Sequence, residues 1–93
     1  MKLKFTPVAR DDLEQIWDYI AENNPQAATR MAQMLMQKCQ LLAENPLLGR
    51  QRNEIAPNLR SFPTKSYTIF YRISENLEII RILNAARDID NLF

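Results

Sequence analysis

Apolar positions along this chain recur first at a strand's period, then at a helix's, then at a strand's again. Residues 2–6 alternate polar and apolar, the pattern of a short half-buried strand. Thr6 then offers an N-cap oxygen, and Pro7 opens the helix at a position where its missing N–H costs nothing. Ala9, Leu13, Ile16 and Ile20 follow at helical spacing, with Trp17 expected to widen the apolar stripe. Asn24-Pro25 repeats the start signal, and Ala28, Met31, Leu35, Cys39 and Leu42 continue the helical period until Asn45-Pro46 ends it. Two helices joined by so short a turn must be antiparallel neighbours.

Residues 46–58 have no period and contain the only glycine, Gly49, so they are predicted to form a loop. Functional side chains often sit on such segments. Residues 59–62, 66–73 and 77–85 are rich in Ile, Phe and Tyr and read as strands, with Ser74-Glu75-Asn76 turning between the last two. The order β-α-α-β-β-β predicts an α+β fold: a helical hairpin packed on one face of a mostly antiparallel four-stranded sheet. The other face of the sheet is left for something else, and function is placed there.

With 93 residues, 46% of them hydrophobic, the chain is expected to form a single domain, 1–93, around one core. One glycine, five prolines and no repeat predict order everywhere except the extreme C-terminus. Twelve basic residues against eleven acidic ones give a net charge of +1, too little to draw the whole chain onto nucleic acid or anionic lipid. The distribution is uneven: Asp11, Asp12, Glu14, Asp18 and Glu22 crowd the first helix, while basic residues outnumber acids across residues 50–87. The lone Cys39 lies on an apolar helix face and cannot form an internal disulfide, which points to a cytoplasmic protein. The first residues lack a signal peptide's apolar run, and no stretch approaches the ~20 apolar residues that span a bilayer. Histidine is absent, which removes imidazole from catalysis and, with one cysteine, leaves no ligand set for zinc.

Arg60, Arg72, Arg81 and Arg87 are the first candidates for chemistry, because guanidinium groups fixed on strands suit phosphate or carboxylate partners. From the residues alone, solvated strand charges paired with Glu75, Glu78 or Asp88 are the stronger reading. Tyr67, Phe70 and Tyr71 beside Arg72 suggest base stacking, yet strand alternation sends at least one of their faces into the core, and packing is the better account of most of them. Met31 belongs to the buried stripe, and Met34 and Met36 remain open between packing and an adaptable binding surface. The acids of the first helix do not project to one side, so they are read as a solvated face and not as a metal site. No Gly-rich phosphate loop, nucleophile elbow or cysteine cluster is present.

Four signals stand in order: Asn45-Pro46-Leu47-Leu48-Gly49-Arg50, Leu59-Arg60-Ser61-Phe62-Pro63, Tyr67-Thr68-Ile69-Phe70-Tyr71-Arg72 and Ala86-Arg87-Asp88. Set behind two amphipathic helices, this order resembles the ParE branch of the RelE/ParE superfamily of bacterial toxin-antitoxin toxins, over nearly the whole chain. The superfamily contains both ribosome-dependent mRNA endonucleases and non-enzymatic poisons of DNA gyrase. The chain departs from the endonuclease pattern: Asn84 stands where many relatives carry histidine, Phe93 where the terminal aromatic is tyrosine, and Thr68 where RelE-like members have arginine. Arg60, Arg87 and Glu54 remain, which stabilise charge but make a poor proton-transfer set.

The resemblance therefore implies a type II toxin that inhibits gyrase by binding, with no catalytic residue and no cofactor or metal. It also implies a ParD-like antitoxin whose C-terminal segment folds along the toxin's surface to form a hetero-oligomer. Arg60, Arg72, Arg81, Arg87 and Phe93 are the implied target- or antitoxin-binding residues. Two alternatives stay open: a RelE-type mRNA endonuclease, and an inactive toxin-like chain that still binds an antitoxin.

Overall fold

The computed structural model describes residues 1–87, 89 and 93. Strand β1 (Leu3–Phe5) runs into helix α1 (Pro7–Ala21), and α2 (Pro25–Glu44) returns antiparallel to it. Both helices start as the sequence signals require: Thr6 Oγ1 accepts the Ala9 N–H at 3.1 Å, and Asn24 Oδ1 accepts the Ala27 N–H at 3.1 Å. Thr6 does a second job, donating its hydroxyl to the Ile80 carbonyl at 3.0 Å and so fixing the start of α1 against the sheet.

Four more strands follow: β2 (Arg50–Gln51), β3 (Arg60–Pro63), β4 (Tyr67–Ile73) and β5 (Leu77–Asn84). Their spatial order is β1-β5-β4-β3-β2, with β1 parallel to β5 and the other pairings antiparallel. The sheet is thus five-stranded and mixed, and the expected four-stranded sheet is corrected by one strand. The addition is β2, inside the segment read as a loop, where Arg50 pairs with Ser61 and Gln51 with Arg60. A strand of two residues is too short to show a period.

The helical hairpin covers one sheet face. Ala9 and Ile16 of α1, Leu35, Cys39 and Leu42 of α2, and Tyr67, Ile69, Tyr71, Leu77, Ile79 and Ile82 of the sheet form this core. Burial pushes the Cys39 thiol up to about 12, so it behaves there as an inert apolar group. Trp17 falls outside the core, at 42% exposure, and does not widen the buried stripe as expected.

The second sheet face is less open than the sequence suggested. Leu59, Phe70 and Leu83 form a smaller cluster there, roofed by Ile55 and Ala56 from the preceding loop and by Ile89. The Phe93 ring tilts against Phe70 with centroids 5.0 Å apart.

A register shift in β5 divides the two faces. Phe70 pairs with Arg81 but Tyr71 with Ile79, so Ile80 is an extra residue. Strict alternation from Leu77 and Ile79 would place position 81 in the helix-side core. The bulge puts Ile82 there instead and leaves Ile80 and Leu83 to the second cluster.

Candidate functional site

The four sequence signals assemble around β4, and its two ends differ. At one end, the Tyr71 hydroxyl donates to the Pro46 carbonyl at 2.7 Å and accepts the Gly49 N–H at 2.8 Å. Nη1 of Arg60 donates to the Gly49 carbonyl at 2.7 Å. Gly49 is required by this close approach, since a Cβ there would lie 2.6 Å from Tyr71 Cε1 and 2.8 Å from Cζ. Burial raises the Tyr71 pKa, opposed by the Gly49 hydrogen bond and by Arg60. The Asn45–Arg50 signal, Arg60 and Tyr71 are therefore one structural knot that holds Leu47 and Leu48 outward into solvent.

The neighbouring loop is tied in its own way. Arg52 Nε meets Glu54 Oε2 at 2.8 Å and Arg52 Nη1 meets Ser61 Oγ at 3.1 Å. The Arg52 hydrogen bond lowers the Glu54 pKa and keeps it a carboxylate. Asn58 adopts a left-handed φ of 60°, which asparagine tolerates, and its N–H is capped by Asn53 Oδ1 at 2.9 Å. A cavity of about 200 Å³ lies beside this loop, lined by Gln51, Asn53, Asn58, Arg60 and Ile73.

At the other end of β4, α1 crosses the end of β5. Asp12 Oδ2 and Oδ1 accept Arg81 Nε and Nη2 at 2.8 and 2.9 Å, and Oδ2 also accepts the Ile82 N–H at 3.0 Å. β1 pairs with β5 only as far as Ile79, so Asp12 supplies the acceptor that a longer edge strand would have given Ile82. The Asp12 bond raises the Arg81 pKa further, against burial. Asp12 is only 7% exposed and not part of a solvated face; its bidentate partner is what makes that burial tolerable.

Above this pair lies a cavity of about 260 Å³, lined among others by Gln15, Tyr19, Tyr67, Asn84 and Arg87. Tyr67 is 7% exposed, and burial followed by the nearby Tyr19 raises its pKa. No group of three or more Cys, Asp or Glu side chains able to hold a metal occurs among the described residues. Nor is any helix of the described residues long and apolar enough to cross a membrane.

A family model described as the ParE toxin of the type II toxin-antitoxin system parDE matches residues 3–89. The chain belongs to this ParE toxin family. Among its relatives, Toxin ParE1 of Mycobacterium tuberculosis is 31% identical over 88 residues, covering 91% of this chain and 90% of the relative. Toxin RelE2 of Caulobacter vibrioides is 40% identical over 77 residues, covering 82% and 85%. A solved structure described as a chromosomal ParDE toxin-antitoxin system from P. aeruginosa matches with a TM-score of 0.75 at 26% identity, covering 90% of this chain and 95% of that one. The chain is thus a type II toxin of the ParE family, and its two-helix, five-stranded fold is similar to that ParDE structure.

In this ParE-family chain the arginines singled out by sequence do not converge on one site. Arg81 is committed to Asp12 and is not a solvated strand charge; among the described residues it pairs with neither Glu75 nor Glu78. Arg60 is engaged with the Gly49 turn. Arg72 Nε donates to the Pro57 carbonyl at 3.1 Å, while Phe93 sits against Phe70 on the second sheet face. Arg87 is exposed at the rim of the larger cavity, where its N–H donates to the Asn84 carbonyl at 3.0 Å. Asp88 lies outside the described residues. Sequence reasoning missed Asp12, Gln15 and Tyr19 as neighbours. Their spacing of three and four along α1 was the available signal, passed over because the acids were sorted as one group.

Proposed function

We propose that this ParE-family toxin poisons DNA gyrase by binding and not by catalysis, and that a ParD-like antitoxin neutralises it in the cytoplasm. The observation that carries the non-catalytic reading is that no arginine among the described residues stands beside both a free base and a free acid. Cleavage of RNA through a 2′-hydroxyl needs a base, an acid and charge stabilisation in one place. Here Glu54 is bound to Arg52, the Tyr71 hydroxyl is shared between Pro46 and Gly49, and the chain has no histidine. Tyr67 has a raised pKa, which makes it a poor base at neutral pH.

The likeness to a ParDE toxin-antitoxin assembly supports antitoxin pairing. Within this reading Arg72, Arg87 and Phe93 supply partner contacts, while Arg60 and Arg81 act by holding the Gly49 turn and the α1–β5 junction in place. The 40% identical RelE2 relative makes the mRNA endonuclease the competing reading.

Purified toxin is expected to inhibit gyrase supercoiling and, when expressed alone, to arrest growth with DNA damage. Unaffected supercoiling together with mRNA cut in the ribosomal A site would replace this reading with the endonuclease. If neither occurs, the chain is an inactive antitoxin-binding relative.

A further inference from the structure

The Tyr67 hydroxyl is the informative atom of the larger cavity. Tyr67 is a core residue, more than nine-tenths buried, yet its hydroxyl makes no hydrogen bond to any described residue. Tyr67 lines the cavity, and no buried side-chain oxygen or nitrogen among the described residues lacks a partner, which fits a hydroxyl open to that space. A tyrosine whose ring is needed only for packing is replaceable by phenylalanine at no cost. A hydroxyl held at the base of a cavity presents a donor to whatever enters.

The surroundings define the ligand. Burial and the neighbouring Tyr19 keep the Tyr67 hydroxyl protonated at neutral pH, hence a donor. The amides of Gln15 and Asn84 line the same space, and Arg87 adds a cation at its rim. Asp12, the acid among the described lining residues, has its carboxylate taken up by Arg81 and the Ile82 N–H. Among the described residues, donors and one cation thus face a neutralised floor, a set that suits a carboxylate. The Ile16 side chain and the exposed Tyr19 ring supply apolar surface for the stem of such a side chain. A volume of about 260 Å³ fits one side chain and leaves no room for several nucleotides. A single arginine is also too little charge for a nucleic-acid backbone.

We propose that this cavity receives an aspartate or glutamate side chain of the antitoxin, with the Tyr67 hydroxyl as donor and Arg87 as counter-charge. The proposal rests on the antitoxin-pairing reading above. It specifies one polar subsite within that contact and makes Tyr67 a specificity-determining residue of binding.

The test measures binding of the protein encoded by the adjacent short reading frame to wild-type toxin, Tyr67→Phe and Arg87→Gln, by calorimetry. Each variant is expected to keep its thermal midpoint and to bind about tenfold more weakly, the size expected for one hydrogen bond to a charged group. Changing the antitoxin's acids to amides one at a time should identify a single residue whose loss is non-additive with Tyr67→Phe. Wild-type affinity in both folded variants, or no coupled acid, overturns the subsite.

If the adjacent-frame protein does not bind wild-type toxin, antitoxin pairing with that protein fails, and a second measurement judges the cavity. N-acetylglutamate N-methylamide at millimolar concentration should shift the side-chain amide resonances of Gln15 and Asn84 in wild type but not in Tyr67→Phe. Absence of that shift in wild type also overturns the subsite.

Discussion

Tyr67 and Tyr71 are two turns of the same pleat: they lie on the helix-facing side of β4, at 7% and 0% exposure, and burial raises the pKa of both. Their hydroxyls have opposite fates. Tyr71 spends both hydrogen-bonding directions on the Pro46–Gly49 turn, whereas Tyr67 has no partner among the described residues. Burial alone therefore does not distinguish a structural tyrosine from an available one. The distinction lies in what the last atom of the side chain meets, and it separates a sealed end of the sheet from a receptive one.

The receptive end depends on its own anchor, and removing that anchor should have the largest effect. Asp12→Ala leaves the Arg81 guanidinium and the Ile82 N–H without their acceptor. Because the Arg81 side chain keeps 18% of its exposure, the loss should be about 2 to 3 kcal/mol, below the range for a fully buried pair. Denaturant unfolding measures it, and a loss under about 0.5 kcal/mol would reduce the junction to a weak surface pair.

At the sealed end, Tyr71→Phe strips an acceptor from the Gly49 N–H and a donor from the Pro46 carbonyl. The expected cost is about 1 to 3 kcal/mol, with faster exchange of the Gly49 amide proton. Equal stability in this variant would erase the contrast between the two tyrosines.

Alkaline titration sharpens the contrast further. The native state holds protons on Cys39, Tyr67 and Tyr71 at pH values where the unfolded chain releases them. Stability should therefore be full below the ordinary pKa values of these groups and fall as pH rises past 9. Each Tyr→Phe change should lessen that fall by up to about 1.4 kcal/mol per pH unit in the affected range. Thermal midpoints measured from pH 7 to 11 provide the check; a midpoint that climbs with pH contradicts the sign.

The smallest effect is the most discriminating. Tyr67→Phe should alter stability at pH 7 by less than about 0.5 kcal/mol, since it removes no hydrogen bond to a described residue. A larger loss would mean that its hydroxyl is structural after all.

Much of the fold was legible because its signals are local. Thr6-Pro7 and Asn24-Pro25 announce both helices, and the Ala28, Leu35, Cys39 and Leu42 stripe is buried as its spacing requires. β2 escaped notice because two residues carry no periodicity, and its existence depends on pairing with β3. The bulge at Ile80 left a trace in the run Ile79-Ile80-Arg81-Ile82-Leu83, whose paired apolar residues fit no strict alternation.

The candidate site was harder to read because it is made of long-range partnerships. Asp12 and Arg81 are 69 positions apart, and nothing local to either identifies the other. Arg60 reads from sequence as a charge for phosphate, carboxylate or solvent, yet its partner is a backbone carbonyl that only the folded Gly49 turn presents. Chemistry borne by single side chains could be read from residue types; availability could not, because it is decided by which partners the fold delivers.

The parallel pairing of β1 with β5 also bears on synthesis. Leu3 meets Leu77, and β5 slots between the first strand and the fourth. A chain leaving the ribosome thus exposes its helical hairpin long before the strand that completes the sheet has been made. Until residues 77–84 emerge, Ile79 and Ile82 are missing from beneath the helices, Thr6 has no bulge carbonyl to bind, and Asp12 has no arginine. Folding is consequently held back until residues 77–84 have been made, so a prematurely terminated product lacking β5 is an incomplete sheet and a target for proteolysis, not a small dose of toxin.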